Sequence, residues 1–257
     1  MDQEQVTLQV LDDLAVRQFY THYVGIDNED ELVRHWQTIR SRLSEYGPLY
    51  KCINYYKFVK SRLSSRFYYH ELLDMKKQGN QAPIVMDLGC CTGTDLRKLM
   101  FDGYPGDKLF GIELNQHYID CGYDLFRDRQ QCPITFITED IFTITPHTTM
   151  IPRAGVIYTG SMIHLFSFDQ LYHFIEFIIT HLIPGGLFMG THVVGDITTS
   201  ITRRGNTKHF IGMQDFKDVL ERHQFVDIKF CKEPRQKDPD EDIMLNTYWL
   251  SFQCRLG

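Results

Sequence analysis

The apolar positions of this chain change their period partway along. Up to about residue 80 they follow a helical repeat. Leu32, Trp36, Ile39 and Leu43 recur three or four apart, and Gly47-Pro48 closes that run. A second stretch, "YKCINYYKFVKSRLSSRFYYHELLDMKK", carries no strand pattern and reads as helical, and "QGNQAP" breaks the chain after it. From Ile84 onward short apolar runs alternate with amphipathic ones. "IVMDL", "KLFGIEL", "ITFITED", "GVIYTGS" and "LFMGTHVV" predict five strands. Between them, helices are predicted from Thr94 to Phe101 with Leu96, Leu99 and Met100 inward, from His117 to Arg129, and after Ser167. Ser167 with Gln170 forms a capping box, and Leu171, Phe174, Ile175, Ile178 and Leu182 give that helix an apolar face before "PGG" ends it. Residues 195–209 read as a loop rich in Gly, Thr and Arg. A helix from Met213 to Arg222 leads to "VDIKF", and "TYWLSFQCRL" is the last strand. Strands joined by helices imply a parallel sheet with helices on both faces. No helix separates the last two strands, so they are expected to pair antiparallel. The expected architecture is α/β: a helical segment over 1–80, then a domain over 81–257 with a seven-stranded, mostly parallel sheet and an antiparallel last strand.

Composition removes several function classes. The 257 residues carry a formal charge of −6 and scattered basic residues, which gives no electrostatic footprint for nucleic acid. No apolar run approaches the roughly 20 residues that cross a bilayer, so no membrane partner is expected. "MDQEQVTLQVLDDLAV" is acidic and polar and lacks the features of a signal peptide. Seven cysteines is an odd count without a framework spacing, which favours free thiols in a reducing, cytoplasmic setting. The oligomeric state stays open, with a homodimer among the options.

The candidate chemistry lies in "VMDLGCCTGTDLRKL", a strand running through a glycine turn into a helix. Gly89-Cys90-Cys91-Thr92-Gly93 is G-x-x-x-G, not the G-x-G-x-x-G of a dinucleotide site, and it lacks the glycine that admits a pyrophosphate. Acidic groups follow at successive strand ends. Glu113 lies about 20 residues after Gly93, where a carboxylate accepts ribose hydroxyls. Asp140 is placed to accept from an adenine amino group, with Ile141 against the ring, and Asp87 ends the first strand. Three carboxylates around one pocket repel phosphates and attract a cation. S-adenosylmethionine, with its adenosine, amino-acid group and sulfonium, fits that set. Taken singly, a glycine turn can be a tight connection and an acidic residue a helix cap. Adjacent cysteines are poorly disposed to pair, and no further ligand lies at zinc spacing. Cys90 and Cys91 are therefore expected to line the ligand through their backbone, with no metal. A redox or arsenic-binding role is the alternative.

"LGC-x-x-G-x-DLRKL", "DG-x-P-x-x-x-L-x-G-x-x-L", "GYDLFRDR" and the "HLFS" of His164 to Ser167 resemble the small fungal S-adenosylmethionine methyltransferases of meroterpenoid biosynthesis and their relatives. The resemblance spans about residues 46 to 192. It implies a Rossmann-like class I methyltransferase fold, with residues 1–80 as a helical cap. It also implies ligand contacts at Gly89, Glu113, Asp140 and Ile141, and a carboxylate or hydroxyl of a small molecule as methyl acceptor. Leu114 and Ser161 complete the expected cofactor contacts.

Methyl transfer is an in-line displacement in which the protein supplies alignment. A carboxylate acceptor needs no base, whereas an alcohol or phenol does. His164 and His192, each following a strand, are the candidate bases. The alternative for His164 is a backbone-bonded approach to a helix, and for His192 it is packing. Among Tyr50, Tyr55, Tyr56, Tyr68 and Tyr69, most are expected to pack the helical segment. Tyr50 and Tyr69 are the candidates to close over the cofactor. Arg203, Arg204 and Lys208 are read either as holding an acidic acceptor or as a solvated basic loop. Two further functions remain open: a non-methylating reaction on the same cofactor, such as a pericyclic rearrangement, and a non-catalytic partner subunit.

Overall fold

The computed structural model describes residues 10–45, 50–144, 151–203, 206–235 and 246–257. The helices are α1 (Leu14–Phe19), α2 (Glu29–Leu43), α3 (Lys51–Asn54), α4 (Tyr69–Asp74), α5 (Thr94–Phe101), α6 (Gln116–Phe126), α7 (Phe168–His181) and α8 (Met213–Arg222). The strands are β1 (Val85–Leu88), β2 (Leu109–Glu113), β3 (Thr135–Thr138), β4 (Ala154–Gly160), β5 (Leu182–Gly195), β6 (Thr199–Arg203), β7 (Asn206–Phe210), β8 (Phe225–Pro234) and β9 (Thr247–Leu256). Seven strands form one sheet in the order β3-β2-β1-β4-β5-β9-β8. That is the expected seven-stranded Rossmann-like sheet. The antiparallel last strand is inserted beside β5, and β6 and β7 form a separate pair. The chain divides into two compact units. One comprises Met1–Ser65, Leu72–Ala82 and Cys90–Glu139, the other Arg66–Glu71, Pro83–Gly89 and Asp140–Gly257.

In the first unit, the Asn28 side chain accepts from the Glu31 amide and starts α2, with Glu29, Asp30 and Glu31 in the first turn and Arg40 and Arg42 in the last. Both charge biases suit the helix dipole. The buried stripe is Leu32, Trp36, Ile39 and Leu43, as the periodicity predicts. These side chains join Tyr20, Ile53, Tyr56 and Phe58 in one apolar cluster with Tyr118, Cys121, Leu125 and Phe126 of α6. The Gly47-Pro48 stop lies outside the described residues. The tyrosine-rich stretch after it differs from the expected helix. Its first part is broken into α3 and single turns at Lys57–Val59 and Leu63–Ser65, while its end forms the expected helix as α4, followed by a 3-10 turn from Met75. The cause is competition from α5. The Phe58 carbonyl accepts from the hydroxyls of Thr92 and Thr94. One Asp95 carboxylate oxygen accepts from the amides of Arg62 at 2.8 Å and Leu63 at 2.9 Å, and from the Ser61 hydroxyl at 2.6 Å. Those backbone groups are spent outside any local helix. The unit's two strands, β2 and β3, pair in parallel from Phe110↔Thr135 to Glu113↔Thr138.

In the second unit, β1 pairs with β4 and β4 with β5 in parallel. Strand β9 is antiparallel to both β5 and β8, so β8 runs the same way as β5. Helix α7 has both halves of the predicted capping box: Ser167 accepts from the Gln170 amide and the Gln170 side chain accepts from the Ser167 amide. Helix α8 has the predicted limits and buries Phe216, Val219 and Leu220. The region expected to be a loop after β5 instead holds the β6–β7 hairpin. Its pairs run from Thr199↔Phe210 to Arg203↔Asn206, with the hydroxyls of Thr202 and Thr207 2.8 Å apart. Polar β-branched residues stabilise such a pair across the strands. They leave little apolar signal to read. Lys208 lies on β7, while Arg204 and the Arg203 side chain lie outside the described residues.

Replacing Ser167 with Ala removes the α7 cap. The expected loss is about 1 kcal/mol of unfolding free energy, read as a lower urea midpoint with unchanged m-value.

Candidate functional site

In the first unit, β2 delivers Glu113 to the turn that precedes α5. The Cys91 amide donates to Glu113 Oε2 at 2.9 Å and the Asn115 amide to Oε1 at 3.1 Å. Each oxygen keeps lone-pair capacity for a further donor. Burial pushes the Glu113 carboxyl above its ordinary range, although the amides of Asn115, Cys91 and Leu114 pull it back. The turn is tied to β2 at a second point, where the Cys90 amide donates to the Ile112 carbonyl at 3.2 Å. It then closes with the Gly93 amide donating to Cys90 at 2.8 Å. Cys91 has φ 52° and Gly93 φ 66°. The left-handed region suits glycine, and at Cys91 it is a departure from what an L residue prefers.

The two cysteines have different surroundings. Cys90 is buried, and a Cβ built on Gly111 would stand 2.7 Å from its sulfur, so the thiol fills the space over that glycine. The Cys91 side chain packs on the N-terminal apolar cluster. Burial and then Glu113 push its thiol well above the usual range. All seven cysteines are free, and no metal-binding group of His, Cys, Asp and Glu occurs among the described residues. Tyr50 is 39% exposed; burial and then Glu113 raise its hydroxyl. Tyr118 of α6 shares this environment. Its hydroxyl is pushed up to about 12 by burial, with Cys91, Tyr50 and Glu113 adding to the effect. Sequence reasoning missed Tyr118, which reads there as one more core aromatic. It also missed Arg97. This side chain is 1% exposed on the inward face of α5, and its Nε and a terminal nitrogen donate to Asp128 at 2.7 and 3.0 Å. The available signal was a charge between Leu96 and Leu99 on an apolar face. Leu114, which follows Glu113 in the chain, is 68% exposed.

The second unit holds the remaining candidates. Asp87 is buried in β1 opposite Tyr158 of β4. Gly89 has φ 72°, and a Cβ there would stand 2.7 Å from the Met162 sulfur. Met162 thus packs over the glycine, a contact with no signal in the sequence. Asp140 accepts from the Phe142 amide at 2.9 Å through one carboxylate oxygen, and its carbonyl receives Thr143. Ile141 stands next to it, half-buried. Ser161 has φ 63° and donates its amide to the Thr191 carbonyl at 2.7 Å. Tyr69 is buried. His164 is half-buried in a single turn, Ile163–Leu165, with its ring edge-on to Trp249 at 6.0 Å. His192 differs from it. Its ring has no exposed surface and lies 4.5 Å from Phe216 and 5.8 Å from Phe252. Neither ring nitrogen has a hydrogen-bond partner among the described residues.

Comparison with known proteins sets these features in context. No family model matches the chain. Its sequence is similar to fungal methyltransferases. It is 32% identical to methyltransferase ausD of Aspergillus calidoustus over 165 residues, covering 62% of this chain and 58% of the relative. It is 30% identical to O-methyltransferase phiE of Fungal sp. (strain ATCC 74256), covering 65% and 56%. Against O-methyltransferase atr3 of Stereocaulon alpinum the identity is 32%, covering 65% and 49%. The chain spans about half the length of these curated relatives. Among solved structures it superposes on the 1,6-didemethyltoxoflavin-N1-methyltransferase of Burkholderia thailandensis with a TM-score of 0.55 at 12% identity, covering 89% of each chain. A methyltransferase of Clostridium acetobutylicum gives 0.50 at 14%, covering 80% of this chain and all of that one. The fold is that of the class I methyltransferases. Within that class, the sequence likeness is to fungal methyltransferases.

Burial, and then the nearby His164, holds the His192 imidazole down to about 3. The unfolded chain takes up this proton near the ordinary pKa of about 6.5, whereas the folded chain does not. Stability is therefore full above that pH and falls as the pH drops toward 3. The expected loss between pH 8 and pH 5.5 is roughly 1.4 kcal/mol from this residue. Urea unfolding at the two pH values, compared with His192→Gln, isolates the effect. An unchanged slope in the variant would remove His192 as its source.

Proposed function

We propose that this protein is an S-adenosylmethionine-dependent methyltransferase that methylates a carboxylate or hydroxyl of a small molecule in fungal secondary metabolism. The single observation that carries the reading is Glu113. A carboxylate at the end of the second strand is held by two backbone amides, each oxygen with capacity left for a ribose hydroxyl. The fungal methyltransferase relatives support the same reading, and the names of phiE and atr3 support transfer to oxygen. S-adenosylmethionine, when bound, supplies an electrophilic methyl group on a sulfonium. The residues of the chain then bind and orient. In the first unit Glu113 is assigned to accept from the ribose and Leu114 to contact the cofactor; Asp140 and Ile141 of the second unit keep the adenine assignment read from the sequence. Asp87, Gly89 and Ser161 of the second unit keep the cofactor assignment read from the sequence, and the turn backbone from Cys90 to Gly93 is assigned to the methionine side. Tyr50 is assigned to cover it, while Tyr69, buried in the second unit, is assigned to packing. His192 is assigned a packing role as well, since a neutral imidazole without exposed surface has no route to an acceptor proton. His164 then remains as the candidate base.

Two measurements test this. Glu113→Ala should weaken S-adenosylhomocysteine binding by about 1–3 kcal/mol, roughly 5- to 150-fold, as expected for loss of a charged hydrogen-bond partner. Calorimetry reads this directly, and parental affinity in the variant would sink the assignment. The second concerns the acceptor. A carboxylate is already ionised at neutral pH, so His164→Ala should lower single-turnover methyl transfer by less than tenfold. The loss of a general base costs about 10²–10⁴-fold. A thousandfold loss would assign a hydroxyl acceptor and His164 as its base.

A further inference from the structure

The "DLRKL" and "GYDLFRDR" motifs are not explained by ligand contact. In the structure they meet inside the first unit, at the carbonyl of Thr92. Arg97 donates to that carbonyl from one terminal nitrogen at 2.8 Å. Its other two donors form a fork on Asp128, and the carboxylate oxygen that accepts from Arg97 Nε, Oδ2, also accepts from the Tyr23 hydroxyl at 2.8 Å. Phe126, Phe136 and Tyr123 surround the guanidinium, with ring centroids at 4.8, 4.9 and 5.3 Å from its central carbon. Gly122 completes the socket. A Cβ there would stand 2.3 Å from the Thr92 oxygen, so α6 approaches this carbonyl only because position 122 has no side chain. Gly122, Tyr123, Phe126 and Asp128 are all drawn from one motif.

We propose that Arg97, held by Asp128 and Tyr23, is a positioning residue that fixes the Cys90–Gly93 turn in its ligand-binding shape. What the turn binds rests on the proposed function; the brace itself does not. A buried ion pair is poor evidence of stabilisation, because desolvation offsets the attraction and apolar residues can fill the same space. An apolar pair cannot hold a carbonyl oxygen in place. The need for such a hold is visible in the turn, where Cys91 and Gly93 both sit in the left-handed region. The turn is gripped at two adjacent residues. Glu113 accepts from the Cys91 amide and Arg97 donates to the Thr92 carbonyl. Loosening the inner grip therefore shifts the group that orients Glu113. Tyr23 carries the connection to the N-terminal helical segment.

Two variants test the proposal without leaving a buried charge unpaired. Gly122→Ala pushes a methyl group against the Thr92 carbonyl. Tyr23→Phe removes one bond to Asp128 and keeps the ion pair, so it remains informative if Gly122→Ala does not fold. Both are expected to speed amide exchange at residues 91–93 in the unliganded protein. Weaker S-adenosylhomocysteine binding should accompany this, by 10- to 100-fold for Gly122→Ala and three- to tenfold for Tyr23→Phe. Parental exchange at 91–93 in Tyr23→Phe overturns the proposal. So does parental affinity in a protein that binds S-adenosylhomocysteine. Faster exchange spread evenly along the chain, tracking a lower Tm, assigns the network to stability alone and also overturns it. Local faster exchange in a protein whose parent does not bind S-adenosylhomocysteine upholds the brace and removes the cofactor reading instead.

Discussion

The hydrogen bond from the Cys91 amide to Glu113 is the contact on which the turn before α5 depends. It ties the end of β2 to the turn that starts α5, and it orients the carboxylate to which the proposed function assigns the ribose. Cys91 makes that bond from the left-handed region, a conformation that costs an L residue roughly 1–2 kcal/mol. Contacts around the turn offset this. Ile112 accepts the Cys90 amide, and the Thr92 side chain and carbonyl are held by Phe58 and Arg97. The N-terminal segment is therefore part of the turn's support. Its irregular turns between Tyr56 and Ser65 follow from the same contacts, because their backbone groups are bonded to α5 and its approach.

Regular elements were readable where burial matched the period of the sequence. The stripe of Leu32, Trp36, Ile39 and Leu43 faces the core, α5 and α8 have the predicted limits, and the Ser167–Gln170 box forms. The failures have separate causes. The stretch from Phe58 to Leu63 has helical composition, but its backbone groups bond to the α5 region, and no local pattern records that. The β6–β7 hairpin buries little, so its strands lack apolar alternation. On α5 Leu96 and Leu99 are buried as the apolar period predicts, but Met100 is only half-buried while Arg97 is buried beside them. A buried guanidinium is tolerable only with its donors satisfied, and Asp128 lies too far along the chain for a local reading to supply that partner.

The histidines show the same limit at the candidate site. The sequence reads both as following strands and treats them alike, but His192 lies within β5 and only His164 follows a strand. Strand β5 is buried along most of its length from Leu187 to Gly195, so the alternation that usually separates a core face from a solvent face carries no information there. Three-dimensional packing separates them: α8 brings Phe216 over His192, whereas His164 sits on a short turn before α7.

Charge supplies the remaining constraint on what this turn accommodates. Around Glu113 stand Tyr50, Tyr118, Cys52 and Cys91, and burial raises the proton affinity of every one of them. Arg62 draws the thiols the other way, but burial is the larger effect at both. At neutral pH these groups are uncharged, so the thiols are poor nucleophiles and add nothing to the carboxylate's field. A dinucleotide would bring its pyrophosphate toward a carboxylate in a turn that lacks the second glycine. A cationic ligand meets the same carboxylate as an attraction, strengthened by the low dielectric of its surroundings. The replacement of a glycine by Cys90-Cys91 therefore has a physical sense. One thiol fills the space over Gly111 and the other seals the turn against the N-terminal cluster, leaving the Glu113 carboxylate to set the sign of the field.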